Sequence, residues 1–156
     1  NSFNPTNIEA LKSHLTNTCL QSGNEEKNIS VVEFDELSDI SKDGKQTIKK
    51  QIYQIAHDLF LAAIKVDSFG FRPLPNAFET FGVDFLVDSN LQVKLLEVNA
   101  YPDFKQTGEE TKDLITELFD NCTKHFIAPF FNVNQNLTKS ANKMIKVLDY
   151  ATNNWQ

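Results

Sequence analysis

The feature that most constrains this chain is a change of hydrophobic period midway along it. From Lys45 onward, Ile48, Ile52, Ile55, Leu59 and Ile64 recur at three-, four- and five-residue spacing, and Ala56, Phe60 and Ala63 widen the stripe. That spacing predicts an amphipathic helix of about 20 residues. It should end near Asp67–Gly70, with Gly70 free to take a left-handed conformation. Pro73 and Pro75 make the next stretch a connector. The pattern then turns β-rich over residues 78–88 (FETFGVDFLVD) and 91–99 (LQVKLLEVN), either side of Ser89–Asn90. Two such runs around a short polar pair predict an antiparallel hairpin with a two-residue turn.

The remaining segments add elements around this core. Residues 29–34 (ISVVEF) have strand composition, and residues 35–44 are acidic and turn-like. From Glu109 to Phe131, Leu114, Ile115, Leu118, Phe119, Cys122, Phe126 and Ile127 predict a second amphipathic helix. Pro129 should stop or kink it. Its phenylalanines, Phe119, Phe126, Phe130 and Phe131, read as core. Thr138 can cap a last helix running to about Tyr150. The fold class is therefore α/β (α+β): an antiparallel hairpin flanked by helices. Residues 1–131 form the main body, and 132–156 a helical tail packing on the same domain.

Composition narrows the functions. The 156 residues suffice for one domain with a sizeable core, and 13 phenylalanines predict aromatic packing. A formal net charge of −6 argues against a nucleic-acid face made by this segment, since phosphate backbones need a local excess of Lys and Arg. Nucleotide binding stays open, because metal ions can neutralise the phosphates. No apolar run approaches the roughly 20 residues of a membrane span. Cys19 and Cys122 are far apart and outside any ligand pattern, so both read as free thiols in a reducing, cytoplasmic setting. The sequons at Asn28, Asn121 and Asn136 are then chance matches. The chain opens without Met and without a clear element, so an upstream part of the fold is expected outside it.

The hairpin carries the chemistry. Side chains alternate faces along a strand. Gly82, Asp84, Leu86 and Asp88 share one face of the first run, and Leu91, Val93, Leu95, Glu97 and Asn99 one face of the second. With a two-residue turn, Asp88 pairs with Leu91, Asp84 with Leu95 and Gly82 with Glu97. Asp84 and Glu97 become diagonal neighbours, about 5–8 Å apart. Asn99 extends the same face where the strand runs out. Two carboxylates this close repel unless a cation lies between them. Hard oxygen donors of this kind suit Mg²⁺, which completes its shell with water and substrate phosphates. Because Glu97 and Asn99 continue the apolar face of Val93 and Leu95, they should border the core, within the near-continuous apolar run of a buried strand.

The stretch FETFGVDFLVDSNLQVKLLEVNAYP resembles the C-terminal ATP-grasp signature of the tubulin-tyrosine-ligase family. In that pattern a D-F-x-x-D strand is followed by an E-x-N strand. The resemblance implies Mg²⁺ ligation by Asp84, Glu97 and Asn99. Upstream, residues 13–21 (SHLTNTCLQ) resemble the family's H-L-T-N segment, which implies that Thr16 and Asn17 approach ATP, together with Asn99. The resemblance spans roughly residues 10–131 and makes the chain the C-terminal portion of an ATP-grasp domain. After Glu97-Val98-Asn99 this chain has Ala100-Tyr101-Pro102-Asp103, closer to tyrosine-adding members than to the polyglutamylating ones.

The family implies an ATP- and Mg²⁺-dependent ligase joining a carboxylate to an amine, adding an amino acid to a protein C-terminus or side chain, with tubulin or another protein as acceptor. Its metal ligands act electrostatically, so no catalytic nucleophile is assigned. Fungal members associated with processing bodies imply a second reading: a ligase-like scaffold in a cytoplasmic assembly whose partners are mRNA-decapping factors. Other candidates are weaker. His14, His57 and His125 lack metal-ligand spacing and read as structural or surface residues. Asp103 and Lys105, after the E-x-N strand, and Thr18 and Cys19, after H-L-T-N, could approach the substrate, although a solvated loop and a buried thiol are the simpler roles.

Overall fold

Ser41 sets the start of the long helix. Its backbone is extended (φ −60°, ψ 158°) and its hydroxyl accepts from the Gly44 amide at 3.1 Å. This N-cap satisfies one of the four amides that a helix start leaves without an intrahelical partner. Helix α1 accordingly runs Lys42–Val66, three residues earlier than the apolar stripe alone predicts. The computed structural model describes residues 32–72, 74, 77–102, 104, 112–131 and 144–150. Within α1, Gly44, Ile48 and Ile64 are buried, and the rest of the predicted stripe is half-buried.

Asp67, rather than Gly70, closes α1. The Asp67 carboxylate accepts from the Gly70 amide at 2.8 Å, and its carbonyl accepts from the Phe71 amide at 2.8 Å. Gly70 does not adopt a left-handed backbone, because the aspartate side chain already ties up the chain end. The strand expected at 29–34 is not formed over its described residues. Val32 and Glu33 are irregular, and Phe34–Glu36 is a single 3₁₀ turn. Lys49 pairs with the Asp35 carboxylate at 2.6 Å, and Lys45 donates to the Asp35 carbonyl at 2.6 Å. Both lysines belong to α1, so this turn is folded onto the helix instead of extending into a sheet.

The hairpin is shorter than its sequence pattern. β1 spans Gly82–Val87 and β2 spans Val93–Asn99, paired antiparallel as a two-stranded sheet. Residues 78–81 leave the strand because their rings pack elsewhere. Phe81 joins Phe60 and Phe71 in a cluster with centroids 5.5–6.1 Å apart, and Phe78 stacks on Phe126 at 5.4 Å. Such offset or tilted pairs are favourable beyond their burial.

The turn also differs from the two-residue loop predicted. Asp88 N donates to Gln92 O at 3.0 Å and Leu91 N to Asp88 O at 2.9 Å, leaving a three-residue loop, Ser89–Leu91. The Asp88 carboxylate accepts from the amides of Asn90 (2.8 Å) and Gln92 (2.9 Å). Leu91 takes the left-handed position, φ 60°, which this loop type requires and Gly normally fills.

Helix α1 holds the hairpin from beneath. Gln51 Nε2 donates to Leu91 O at 2.8 Å, and Val93 N donates to Gln51 Oε1 at 3.1 Å. Gly44 makes the approach possible: a Cβ there would lie 3.2 Å from Leu91 Cδ1 and 3.1 Å from Ile40 Cγ2.

The second helix, α2, spans Lys112–Cys122 and passes into a π turn, Thr123–Ile127, before a last helical turn, Ala128–Phe130. Regular α geometry is thus lost just ahead of Pro129, and the helical path ends at Phe130, one residue after it. A proline clashes with the carbonyl four residues back, and the wider turn just ahead of it relieves that contact. Cys122 is buried and unbridged. Contrary to the reading of this face as core, Phe119, Phe126, Phe130 and Phe131 are each about half-exposed. The helix predicted through about Tyr150 does not cover the described residues 144–150, which are irregular. A short helix outside a packed context is marginal in water, and the β-branched Ile145 and Val147 weaken it further. Among the described residues, no helix is long and apolar enough to cross a membrane.

Candidate metal site

The register of the hairpin decides what the acidic residues can do. Val87 pairs with Val93, Leu86 with Lys94 and Phe85 with Leu95. The pairing then shifts, and Asp84 opposes Glu97, Val83 opposes Val98 and Gly82 opposes Asn99. Leu96 is the extra residue of a β-bulge. Asp84 and Glu97 are therefore direct cross-strand partners, not the diagonal neighbours predicted.

The bulge also changes their face. β1 alternates regularly: Val83, Phe85 and Val87 are half-buried, whereas Asp84 and Leu86 are exposed. Through their partners, Val93, Leu95 and Val98 share the inner face. Glu97 and Asn99 share the outer face with Asp84 and Gly82. Were Leu96 paired in regular register instead of bulged, the two-residue period of β2 would carry Glu97 and Asn99 onto the side of Val93. The expectation that they continue the apolar face and border the core is thus corrected: all three ligand candidates are exposed. β2 itself is exposed along its length except at buried Val93, so its apolar run does not mark a strand covered on both faces.

Asn99 Nδ2 donates to Glu97 Oε1 at 3.2 Å. Gly82 leaves room for this arrangement, since a Cβ on it would meet Pro102 Cβ at 3.2 Å and Asn99 Cβ at 3.8 Å. Desolvation, a hydrogen bond with Glu97 and the Glu97 charge together hold the Asp84 carboxyl above its ordinary value of 3.8. Two facing carboxylates favour a shared proton or a bound cation. The donor set fits Mg²⁺: two carboxylates and an amide that can turn its Oδ1 outward, all hard oxygens open to water and phosphate. No third carboxylate, His or Cys converges on them among the described residues, so water and substrate oxygens would fill the other positions.

Thr16, Asn17, Thr18, Cys19 and His14 lie outside the described residues, as do Asp103 and Lys105. His57 sits at the surface with Nδ1 2.9 Å from Asp58, and His125 is an exposed neighbour of Phe126. Two apolar cavities of about 430 and 520 Å³ open elsewhere, around the Phe60–Phe71–Phe81 cluster and around Phe78, Phe126 and Phe130. Neither is lined by Asp84, Glu97 or Asn99. Sequence reasoning missed Gln51 and the bulge at Leu96. Gln51 carried no signal beyond its place beside the apolar stripe, and two adjacent leucines in a strand of alternating period were the only hint of the bulge.

A hairpin presenting two opposed carboxylates and an E-x-N amide beside a long helix is the arrangement of an ATP-grasp C-terminal segment. The sequence profile of the tubulin-tyrosine ligase family matches residues 1–136, and the chain belongs to that family. It is 52% identical over 155 residues to "Probable tubulin--tyrosine ligase PBY1" of Saccharomyces cerevisiae, a match covering 98% of this chain and 21% of that protein. It is 47% identical over 136 residues to a probable tubulin–tyrosine ligase of Schizosaccharomyces pombe, covering 83% of this chain and 33% of the other. Among solved structures it resembles the C-terminal domain of K. lactis Pby1, described as an ATP-grasp enzyme interacting with the mRNA decapping enzyme Dcp2. The TM-score is 0.71 at 45% identity, covering 97% of this chain and 41% of that one. The chain thus spans about a fifth to a third of the curated relatives' length.

Proposed function

We propose that this chain supplies the metal-holding side of an ATP-dependent carboxylate–amine ligase. The observation that carries the reading is the direct pairing of Asp84 with Glu97 on an open face, with Asn99 bonded to Glu97. In such a reaction a carboxylate oxygen attacks the γ-phosphorus of ATP and ADP leaves. An amine nitrogen then attacks the acyl carbon, gives up a proton, and phosphate departs. Mg²⁺, when bound, neutralises charge on the phosphates during transfer. Asp84 and Glu97 would supply anionic oxygens to it and Asn99 a neutral one, fixing where the phosphates sit. Thr16, Asn17 and Asn99 would meet the nucleotide. The acceptor class is tubulin or another protein, and tyrosine is the first amino acid to test, because the pattern after Asn99 is closer to tyrosine-adding members than to polyglutamylating ones. The test is ligation by the full-length protein given ATP, Mg²⁺, tyrosine and detyrosinated tubulin. Incorporation that disappears in Asp84→Ala supports the reading, and no incorporation with any amino acid or acceptor overturns it.

A second reading has its own support. A chain 45% identical over nearly the whole length of this one is described as interacting with Dcp2. We propose that this protein also acts as a binding module for decapping factors, in the cytoplasm and in processing bodies. Its test is a pull-down of the decapping enzyme by the full-length protein carrying Asp84→Ala and Asn99→Ala. Retained binding separates scaffold from ligase, and loss of binding with the fold intact by circular dichroism sinks that separation.

A further inference from the structure

The hairpin has two competing registers, and a helix side chain stands between them. A two-residue turn at Ser89–Asn90 would pair Asp88 with Leu91 and set Val93 opposite Leu86, on the exposed side of β1. It would move the positive φ from Leu91 to Ser89, or to Ser89 and Asn90 together, neither of which is glycine. The observed three-residue loop instead sets Val93 opposite Val87, buries it, and places Leu91 at φ 60°, a conformation that a Cβ disfavours. Neither loop is free of backbone strain, so the turn alone does not choose the register. Gln51 binds the two groups that the slip would move: it donates to Leu91 O and accepts from Val93 N. Its single amide spans both sides of Gln92, so it can grip the hairpin in one register only.

We infer that Gln51 is a positioning residue for the metal site, acting through the hairpin register and the Leu96 bulge to set Glu97 and Asn99 against Asp84 and Gly82. The inference rests on the reading of Asp84, Glu97 and Asn99 as metal ligands. Gln51 itself lies on α1 and bonds only at the turn end of the hairpin, while the acidic pair lies toward the other end. Its influence on the site is therefore indirect. A one-residue slip is enough to move Asp84 from Glu97 toward Leu95, because pairing changes for every residue of the strand at once.

The test measures thermal stabilisation of the full-length protein by ATP as a function of Mg²⁺, alongside crystal structures of the variants. Gln51→Met keeps length but removes both hydrogen bonds to the hairpin, along with the longer 3.4 Å contact to Thr47 O within α1. It should raise the Mg²⁺ concentration for half-maximal stabilisation at least tenfold, and its structure should show Asp84 no longer opposite Glu97. Gln51→Glu keeps the acceptor for Val93 N and should fall between wild type and Gln51→Met; it also serves should Gln51→Met not fold. A lowered melting temperature with unchanged Mg²⁺ half-maximum and unchanged register would make Gln51 merely structural and overturn the inference. Glu97→Gln is the control. If it retains wild-type Mg²⁺ dependence, the metal reading itself falls, and the inference with it. If Glu97→Gln loses that dependence while both Gln51 variants keep it, only the inference falls.

Discussion

Asp84 and Glu97 stand directly opposite each other across the hairpin, on the face that β1 turns to solvent. Desolvation, together with the hydrogen bond and charge of Glu97, raises the Asp84 pKa above 3.8 and makes its protonation a stability variable. The sign follows from linkage. With a raised native pKa, the folded state holds the proton where the unfolded state has lost it. The stabilising contribution is full below about 3.8 and is lost as pH rises through the native value. Asp84→Asn removes that loss. In the absence of divalent cations its melting temperature should exceed wild type at neutral pH, and the gap should close as pH falls toward 4. A gap independent of pH, read by calorimetry across pH 4–8, would show that Glu97 does not press on Asp84.

Glu97→Gln tests the metal itself. A ligand binding only the native state stabilises by about 2.7 kcal/mol at a hundredfold excess over Kd. Losing one anionic ligand at constant side-chain size should weaken Mg²⁺-ATP at least tenfold, cutting that stabilisation by about 1.4 kcal/mol. The check is the Mg²⁺-ATP thermal shift of the full-length variant, and a shift equal to wild type would remove Glu97 from the ligand set.

Deleting Leu96 should leave the site standing. Glu97 would then follow Leu95 directly, and regular alternation keeps Glu97 opposite Asp84 and Asn99 opposite Gly82 on the outer face. The deletion thus removes the bulge without changing which residues oppose each other. We expect Mg²⁺-dependent thermal stabilisation of the full-length protein to survive both the deletion and Leu96→Ala. Loss in the deletion alone would show that the local twist of the bulge, and not the cross-strand order, sets the ligands.

Ile48 separates stability from the site. It is fully buried, on the turn of α1 between Gly44 and Gln51. Ile48→Ala should cost roughly 2–5 kcal/mol by lost burial and residual cavity. Urea unfolding should show this as a lower midpoint, while the Mg²⁺ half-maximum of the folded fraction stays at wild type.

The parts of this fold legible in the sequence are those governed by period and composition. The stripe from Ile48 to Ile64 placed α1, and the two β-rich runs placed the hairpin and put Asp84, Glu97 and Asn99 on one face. The register was not legible. It depends on Leu91 taking a backbone conformation for which its own residue type argues against, and on Gln51, which acts across some forty positions of sequence. The outer-face position of Glu97 was likewise hidden, because one inserted residue reverses an alternation that otherwise predicts the inner face. Phe78 and Phe81 misled in the opposite way: their β-propensity extended the strand on paper, but their rings found aromatic partners on α1 and beyond α2.

The leucine at the tip of the hairpin has a consequence for how the molecule assembles. A turn built on Asn-Gly can form early and alone, zipping its strands from the tip. A turn that holds Leu91 at φ 60° has no such local head start, since its compensation lies in contacts with Gly44 and Gln51 on α1. The strands therefore take their alignment from contacts with the helix and not from the turn alone. Excised as a peptide, residues 82–99 should remain without fixed pairing, and the acidic face would not exist until the helix had been laid beneath it.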